Sequence, residues 1–473
     1  MRILHALHFF LPKHSGGTEV YTLRVARAQA RAGHEVTLFF SEKIHSREDY
    51  ELLRRTTEGL DCRVVVNNLL EPDFRATFSN PRIEERFDAV LREFRPEVVH
   101  FQHLMLLSMG LVGRAKEAGA CAVLTLQDFW LWCARMGQLL QPDGSICPGP
   151  EPERCSQCLA TFPFTQKNGA EHAFRTLGML RRAFGVDLSP LVERVRGWQP
   201  LLARSGAGRG EKGRPIPPSQ LRARAEATAR VVAEVDHVIA PSRMLLDRAL
   251  EWGVPAGKIS LLRYGVDLAP RAAARRYAPH GKVRFAFLGT PAPHKGVHVL
   301  IDAFRAAEPG RGRPHGAELV IFGGSRTNPA YFADLKRRAR GLPVRFAGAI
   351  DNAQVPAALE QVDALVVPSL WLENWPVSVQ EARLARVPVV ASRLGGLAEA
   401  VRDGVDGLLF EPGDVYALAG ALRRMIDEPR LLGELAAAAE LPPPMAEHVA
   451  ALDAIYARAG AAPAEPPRSE PPP

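Results

Sequence analysis

The chain has 473 residues, a formal net charge of +8, 47% hydrophobic residues and 24% charged residues. It is too long for one ordinary hydrophobic core, so its globular composition predicts two or three domains. The positive charge favours an acidic partner, such as a nucleotide, an anionic membrane surface or a nucleic acid, without choosing among them.

The N-terminal segment, MRILHALHFFLP, makes a poor signal peptide. Its apolar run is short, two histidines interrupt it, and no small-residue cleavage site follows. No segment reaches about 18 uninterrupted apolar residues, so no transmembrane helix is predicted. We therefore expect a cytoplasmic protein, with peripheral contact at the inner face of an anionic membrane as an option. Its six cysteines are then expected to be thiols or metal ligands rather than disulfides.

The first half of the chain alternates predicted strands with predicted helices, which indicates a doubly wound parallel sheet. Lys13–Thr18 (KHSGGT) is a predicted turn that opens the first helix. Its Gly16 and Gly17 would let a phosphate or a sugar approach the backbone, although a glycine pair also suits an ordinary tight turn. The predicted strands are residues 1–8, 35–40, 63–66, 98–101 and 122–126.

Two polar clusters follow neighbouring strands of this predicted sheet. His100 and His103 (HFQH) end one strand, and Gln127 and Asp128 (TLQDFW) end the next. Because the carboxyl ends of parallel strands share one edge of the sheet, we expect both clusters to face the crevice where such sheets bind ligands. For the two histidines, a capping or core role is the competing interpretation.

Residues 130–158 form an unusual loop that is rich in cysteine, proline and glycine. Cys133, Cys147, Cys155 and Cys158 have the spacing C-x13-C-x7-C-x2-C. Four thiolates at this spacing are compatible with a structural zinc site, although a zinc ribbon would normally supply two C-x-x-C pairs. A redox pair at Cys155 and Cys158, or four unconnected thiols, are the alternatives.

Residues 160–230 match no βαβ unit. They contain predicted helical stretches and a flexible link, ARSGAGRGEKGRPIPPSQ, in which Gly, Pro and charge displace apolar residues. Between Arg194 and Arg230, nine Arg or Lys residues stand against two Glu. Such a run is usually a solvated face, and the functional alternative is a basic surface that meets a membrane or an anionic acceptor.

Alternation of strands and helices resumes after residue 235, and the arginine-rich stretch Ala269–Gly281 is the predicted linker between two domains. Lys295 and Gly296 (PAPHKG) precede a helix predicted over Val297–Ala307, without the G-x-x-x-x-G-K-[ST] pattern of a Walker loop. A helix start of this kind favours phosphate. The predicted strands here are residues 236–241, 258–267, 283–290, 319–324 and 344–348.

The most informative stretch is DALVVPSLWLENWPVSVQEARLARVPVVAS, residues 363–392. It predicts a buried strand at 364–367, a helix that begins at Pro376 and ends near Arg386, and a strand at 387–390. Glu373 precedes the helix and Glu381 lies inside it, eight residues later. The two carboxylates could accept hydrogen bonds from sugar hydroxyls, whereas acids at a helix start are also favoured without any ligand.

The pattern E-N-W-P-x4-E-A followed by V-P-V-V-A-S-x2-G-G-x2-E strongly resembles the E-x7-E region of the family 4 retaining glycosyltransferases. The cysteine-bearing loop resembles that of a subset of this family. The resemblance implies the α/β GT-B fold, with two doubly wound Rossmann-like domains facing a cleft. The implied division is an acceptor-side domain at 1–268, a nucleotide-sugar domain at 281–440, a helix at 441–459 that crosses back, and a disordered tail at 460–473.

The resemblance also implies roles for individual residues. Glu373, Lys295 and Asp128 would be catalytic: Glu373 would contact the donor sugar, and Lys295 would neutralise the donor diphosphate. Gly16, Gly17, Gln127 and His103 would line the acceptor side. Family members commonly have His where this chain has Gln127, and often Arg where it has Thr290. The implied donor-binding residues are Glu381, Gly289, Thr290, Ile350, Asn374, Trp375, Pro376 and Val377.

The expected function is therefore retaining transfer of a sugar from a nucleotide-diphosphate donor to a hydroxyl of a saccharide or lipid-linked acceptor, in polysaccharide or glycolipid biosynthesis. No D-x-D motif is present, so catalysis is expected to need no metal or other cofactor, and zinc is expected only as a structural ion. The rivals are an epimerase or phosphorylase on the same fold and a non-enzymatic protein that binds anionic surfaces. Nucleic acid is not expected as a partner because aromatic residues do not interleave with basic ones.

Overall fold

The computed structural model describes residues 1–68, 73–162, 176–180, 183, 185, 215–267, 282–307, 316–324 and 328–460. The chain divides into two compact units: unit 1 comprises residues 1–137, 147–238 and 453–473, and unit 2 comprises residues 138–146 and 239–452. The predicted linker at 269–281, residues 194–214 of the basic run at 194–230 and residues 461–473 of the predicted tail lie outside the described residues. The predicted domain boundaries therefore stay predictions.

The first sheet has eight strands in the order β3-β4-β2-β1-β5-β6-β7-β8. Strand β1 pairs in parallel with β2 and with β5, and β5 pairs in parallel with β6. The strands are β1 Arg2–Leu7, β2 Glu35–Glu42, β3 Leu52–Thr57, β4 Leu60–Val66, β5 Val98–Phe101, β6 Cys121–Thr125, β7 His237–Ala240 and β8 Ile259–Leu261. The helices that accompany them are α1 Gly17–Arg31, α2 Pro81–Phe94, α3 Leu111–Glu117, α4 Pro152–Leu159, α5 Pro218–Glu234 and α6 Arg243–Glu251.

The second sheet has six strands in the order β11-β10-β9-β12-β13-β14, and its neighbouring strands are parallel. These strands are β9 Val283–Leu288, β10 Ala317–Phe322, β11 Val344–Gly348, β12 Ala364–Val367, β13 Val389–Ser392 and β14 Gly407–Phe410. The accompanying helices are α7 Val297–Ala306, α8 Pro329–Arg338, α9 Val355–Glu360, α10 Val377–Leu384, α11 Gly396–Ala400, α12 Val415–Asp427, α13 Pro429–Ala438 and α14 Met445–Arg458. The two Rossmann-like sheets confirm the predicted fold class.

Buried apolar strands explain why these sheets form. All residues of β5, β6, β12 and β13 are buried, as expected for parallel strands covered by helices on both faces. The core of the second sheet is lined by side chains such as Phe285, Leu300 and Phe304, which are fully buried. The last helix, α14, buries one apolar face, which is formed by Met445, Val449, Leu452 and Tyr456.

Three local predictions need correction. Pro376 is the N-cap of α10 rather than its first residue. Strand β13 runs over Val389–Ser392, later than the predicted 387–390, because Pro388 lacks the N–H that a strand ladder uses. Strand β3 was not predicted: it alternates exposed and half-buried residues at the edge of the sheet and is antiparallel to β4. In the described parts of the chain, no helix has both the length and the hydrophobicity for crossing a membrane.

Candidate active site

The strand order of the second sheet reverses between β9 and β12, which are neighbours. From β9 the chain moves outward to β10 and β11, and from β12 it moves in the opposite direction to β13 and β14. Two loops that leave such a switch point diverge and open a crevice at the carboxyl ends of the strands, where doubly wound sheets bind ligands. Lys295 follows β9 and Glu373 follows β12, so the fold itself brings the two predicted catalytic residues of this unit together.

The loop after β9 is held against the loop after β12 by backbone contacts. Pro293–Lys295 forms one 3-10 turn, and Gly296 then adopts φ +67°. A Cβ atom at Gly296 would overlap the carbonyl oxygen of Pro368, so only glycine allows this approach. The Leu370 N–H donates to the carbonyl oxygen of His294 at 2.8 Å. These contacts fix the position from which the Lys295 side chain starts.

Lys295 and Glu373 form an ion pair, with 2.6 Å between Nζ and Oε1. The Ser369 hydroxyl donates to the same carboxylate oxygen at 2.7 Å. Burial alone would raise the pKa of Glu373, which is only 7% exposed, but the charge of Lys295 and the two hydrogen bonds lower it below its ordinary value. The carboxylate is therefore ionised at neutral pH, while the lysine side chain stays 27% exposed. An accessible cation held by a buried anion suits the binding of a phosphate group.

Aromatic rings cover this ion pair. The Lys295 ammonium lies 4.8 Å from the centroid of the Trp371 ring, and the His294 ring lies 4.8 Å from the same indole. Burial, aided by the neighbouring Lys295 charge, lowers the pKa of His294 to about 4, so this imidazole is neutral at pH 7. Lys295 is thus the cation of this cluster, and its contact with Trp371 adds a favourable cation–π interaction.

The two glycines after β13 support the backbone of Glu373. The Gly396 N–H donates to the Glu373 carbonyl oxygen at 2.7 Å, and a Cβ atom at Gly396 would overlap the carbonyl oxygen of Asn374. Helix α11 begins at this contact, and its Glu399 carboxylate accepts from the backbone N–H groups of Arg243 and Met244 at the start of α6. Sequence reasoning noted Gly395, Gly396 and Glu399 without finding these partners.

The other predicted donor-binding residues lie in the loops and the helix that follow strands β9, β11 and β12 of the second sheet. Glu381 is half-buried on α10, and Pro376, Val377 and Ile350 are half-buried as well, while Gly289 and Thr290 are exposed after β9. Asn374 and Trp375 are buried: Asn374 accepts a hydrogen bond from the Ser242 hydroxyl at 2.7 Å, and the Arg263 guanidinium stacks 4.8 Å from the Trp375 ring. Both side chains hold the loop in place. Contacts with a donor stay a prediction for all eight residues.

The first sheet has its own switch point between β1 and β5, and the predicted polar clusters lie there. The Met105 N–H donates to Nδ1 of His103 at 3.0 Å, so His103 carries its proton on Nε2 and donates to Asp128 Oδ2 at 3.2 Å. The other Asp128 oxygen accepts from the Trp130 N–H at 2.7 Å. Gly137, with φ +71°, leaves space for this carboxylate, which a Cβ atom would overlap. His103 and Asp128 therefore meet as predicted, in a fixed orientation.

Gly16 and Gly17 begin α1, but the carboxylate of Glu19 folds back onto this turn. A Cβ atom at Gly16 would lie 2.7 Å from Glu19 Oε2. Glu19 is buried, and burial raises its pKa. His8 lies 3.5 Å from the same carboxylate, and its ring centroid is 4.4 Å from that of His103. Burial, together with the nearby imidazoles of His103 and His14, lowers the pKa of His8, so the group is neutral. Sequence reasoning missed His8 and Glu19.

The two other polar residues predicted at these strand ends, Gln127 and His100, have different surroundings. The Gln127 amide nitrogen donates to Gln102 Oε1 at 2.9 Å. His100 lies in the core, where Nδ1 is 2.7 Å from the Tyr456 hydroxyl and Nε2 is 2.7 Å from the Thr125 hydroxyl. His100 is therefore a core residue, which was the competing interpretation, and His103 is the histidine that reaches Asp128.

Segments at these two switch points match models of known protein families. Residues 16–145 match the model described as "Glycosyl transferase 4-like domain", and residues 282–428 match the model described as "Glycosyl transferases group 1". Together these matches include both polar clusters and the Lys295–Glu373 pair. The chain belongs to the family 4 glycosyltransferases. Within that family, membership of the subset with a cysteine-rich loop stays a prediction.

Two curated relatives and one solved structure illustrate this membership of the family 4 glycosyltransferases. The chain is 34% identical to glycogen synthase of Mycobacterium tuberculosis over 201 residues, which are 42% of this chain and 47% of that protein. It is 33% identical to D-inositol 3-phosphate glycosyltransferase 2 of Catenulispora acidiphila over 230 residues, 44% of this chain and 53% of that protein. The matches thus span about half the length of these relatives. Anabaena HepE, crystallised with UDP and glucose, has the same fold, with a TM-score of 0.59, 14% identity, and coverage of 97% of this chain and 100% of that one.

Two arginines of the cysteine-rich loop donate hydrogen bonds to other residues of the same loop. Cys155 and Cys158 lie on α4, Arg135 donates to Cys158 Sγ at 3.7 Å, and Arg154 donates to the Gly149 carbonyl oxygen at 2.6 Å. The four cysteines are half-buried thiols, and burial raises the pKa of Cys155. Among the described residues, no group of three or more His, Cys, Asp or Glu is arranged to hold a metal ion. The zinc site stays a prediction from spacing.

Proposed function

We propose that this family 4 glycosyltransferase is a retaining, metal-independent enzyme. It transfers a sugar from a nucleotide-diphosphate sugar to a hydroxyl of a saccharide or lipid-linked acceptor, in polysaccharide or glycolipid biosynthesis. The observation that supports the proposal best is the Lys295–Glu373 ion pair at the switch point of the second sheet. A partly exposed lysine next to a buried carboxylate offers an anion site beside a hydrogen-bond acceptor for sugar hydroxyls.

Lys295 is the proposed partner of the donor diphosphate. Its ammonium has three N–H donors, and Glu373 takes one of them, so phosphate oxygens can use the others. As the glycosidic bond breaks, negative charge accumulates on the leaving diphosphate. A cation already fixed by Glu373 and Trp371 stabilises this charge without reorganisation.

The carboxylates are proposed to hold the two ends of the donor. Glu373 would accept from a hydroxyl of the transferred sugar, and Glu381, on the helix that starts at the crevice, would accept from the ribose hydroxyls. Hydrogen bonds from hydroxyls to a carboxylate are stronger than bonds between neutral groups. UDP and glucose bound to Anabaena HepE are of the proposed ligand class.

The acceptor is proposed to bind at the switch point of the first sheet, through Gln127, Asp128 and His103 near the Gly16–Gly17 turn. In the reaction, the bond between the sugar C1 and the diphosphate oxygen breaks on the face of the sugar where the bond to the acceptor oxygen forms. The acceptor proton moves to the leaving phosphate. No protein nucleophile is needed, and we assign none.

The test is a panel of UDP-, GDP- and ADP-sugars incubated with the protein and candidate saccharide or lipid-linked acceptors. We expect nucleotide release with one donor class, a glycosylated product that keeps the anomeric configuration of the donor, and no loss of activity in chelator. Conversion of the donor into an isomer without product would favour the epimerase. If no donor binds while anionic vesicles do, the non-enzymatic alternative stands.

The cysteine loop carries a separate prediction. If Cys133, Cys147, Cys155 and Cys158 hold structural zinc, protein purified without added metal should contain about one equivalent, because a closed thiolate site retains its ion. Elemental analysis beside a thiol titration decides this. Folded, metal-free protein with all four thiols reactive would refute the zinc site.

A further inference from the structure

A continuous chain of side-chain hydrogen bonds runs through the core of unit 1, from Gln127 to the last helix. Gln127 Nε2 donates to Gln102 Oε1 at 2.9 Å, and Gln102 Nε2 lies 3.2 Å from Nδ1 of His5. His5 Nε2 lies 2.7 Å from Gln29 Oε1, and Gln29 Nε2 donates to the Tyr456 hydroxyl at 3.0 Å. These hydrogen bonds link the loop after β6 to α14 through the loop after β5, strand β1 and helix α1.

The side chains inside this hydrogen-bond chain are buried and uncharged. His5, Gln29, Gln102 and Tyr456 are each 0% exposed. Burial lowers the pKa of His5 to about 4, so its ring is uncharged and has one proton to donate. Buried polar groups that lose a partner cost more than a hydrogen bond is worth, so each link is strongly favoured to stay paired.

Pairing every link forces all donors to point the same way. Gln29 Oε1 can only accept, so His5 carries its proton on Nε2, and its bare Nδ1 then accepts from the Gln102 amide. Gln102 therefore turns its oxygen to Gln127, which must donate. Reversing one amide alone would bring two donors or two acceptors face to face, so the chain can only reverse as a whole.

We propose that Tyr456, Gln29, His5 and Gln102 are positioning residues that fix the orientation of the Gln127 amide, with its NH2 group toward Gln102. A ligand group that meets the carbonyl oxygen of this amide must be a hydrogen-bond donor, such as an acceptor hydroxyl. This inference rests on the proposed function for its catalytic consequence, but not for the coupling along the chain.

Because the donors are coupled, the protonation of His5 reports the orientation of Gln127. In selectively ¹⁵N-histidine-labelled protein, the ring ¹⁵N chemical shifts should show a proton on Nε2 and none on Nδ1. Gln127→Glu can only accept, so it should reverse Gln102 and place a proton on His5 Nδ1. Gln127→Met, of similar size and without a polar group, should leave Nδ1 bare. The His5 signals are those that vanish in His5→Asn, or in His5→Phe if only that variant folds.

A kinetic experiment compares variants of two buried tyrosines of unit 1. Tyr456→Phe removes the hydroxyl that accepts from Gln29 and that also lies 2.7 Å from His100 Nδ1. We expect kcat/KM for the acceptor to fall about fivefold, the size of one neutral hydrogen bond, because only the bond to Gln29 belongs to the path toward Gln127. Nucleotide affinity should not change. Tyr50→Phe is the matched control, because the Tyr50 hydroxyl accepts from Asn80 outside the chain at 3.2 Å. Tyr456→Phe should lose more thermal stability than Tyr50→Phe, because the Tyr456 hydroxyl contacts both Gln29 and His100, and Tyr50→Phe should keep wild-type kinetics.

A bare His5 Nδ1 in Gln127→Glu, or a protonated one in the wild type, would overturn the coupling. Equal acceptor kinetics in Tyr456→Phe and Tyr50→Phe would overturn the positioning role while sugar transfer by the wild type stands. If the wild type transfers no sugar, the proposed function fails, and the His5 measurement alone still decides the coupling.

Discussion

The two sheets have the same kind of switch point but different chemistry at it. In the second sheet the loops after β9 and β12 bring an ammonium and a carboxylate together, Lys295 and Glu373, 2.6 Å apart. In the first sheet the loops after β5 and β6 bring together an imidazole, an amide and one carboxylate, with neutral histidines beneath them. The same architecture thus underlies the proposed anion site in one unit and the proposed hydroxyl site in the other.

The two sites differ physically in the effect of burial on the pKa values of their side chains. At the proposed anion site, Lys295 keeps the pKa of Glu373 low although the carboxylate is buried, so the carboxylate stays charged beside the ammonium group. At the other site, burial lowers the pKa values of His5 and His8 and raises that of Glu19. Charge is suppressed there, and the available interactions are hydrogen bonds of fixed direction.

The largest effect should come from removing the cation. Lys295→Ala should reduce kcat by about 10²–10³-fold, the size of losing one oxyanion donor, because the diphosphate gains charge in the transition state. KM for the donor should change less. Lys295→Arg should recover part of the activity, since a planar guanidinium fits a point-charge site poorly. Steady-state kinetics with the true donor and acceptor measure this, and near-normal turnover of Lys295→Ala would end the assignment.

An intermediate effect is expected at Asp128, which follows β6 of the first sheet. Both Asp128 oxygens accept from donors, Trp130 N–H and His103 Nε2–H, so in Asp128→Asn the amide NH2 must face a donor. We expect kcat to fall about tenfold, the effect of losing one hydrogen bond to a charged group, with nucleotide affinity unchanged. Asp73→Asn, at an exposed aspartate of the same unit, is the control. A matching loss of nucleotide affinity would remove the contrast between the sites.

The smallest effect concerns stability. Glu373→Gln should lower the free energy of unfolding at pH 7 by about 1 kcal/mol, because the amide oxygen still accepts one hydrogen bond. The folded-state pKa of Glu373 is lowered from its ordinary 4.5, so its stabilisation is present above that pH and is lost as the pH falls through the lowered value. Denaturant titrations should therefore show the same difference in unfolding free energy between wild type and Glu373→Gln at about pH 5 and at about pH 7. A difference that grows on acidification would be inconsistent with the ion pair.

The sequence predicts the anion site better than the hydroxyl site, for a physical reason. Lys295, Glu373 and Glu381 lie in contiguous strand–loop–helix segments with marked apolar runs, so strand ends and helix starts can be placed from local patterns. Ser369 and Trp371 were missed, although both lie in the same short loop after β12 as Glu373. Proximity in sequence could have found them.

The hydrogen-bond chain of the first sheet could not be found in this way. Its members come from five separate segments, and each looks unremarkable locally: His5 lies inside a strand, Gln29 inside a helix, and Tyr456 on the apolar face of the last helix. Whether these groups meet depends on helix placement and strand register, such as the pairing of His5 with His100 between β1 and β5. Strand β3 was missed for a related reason, because its partner β4 decides its structure rather than its own half-polar pattern.

The most direct test of the contrast is nucleotide binding by titration calorimetry, with the free nucleotide diphosphate and three proteins: wild type, Glu381→Ala and Gln127→Met. Glu381→Ala should bind more weakly by about 1.5–3 kcal/mol, the worth of a hydrogen bond to a charged acceptor, while Gln127→Met should bind like the wild type. Equal affinities for all three proteins would contradict the assignment of the second sheet as the nucleotide site.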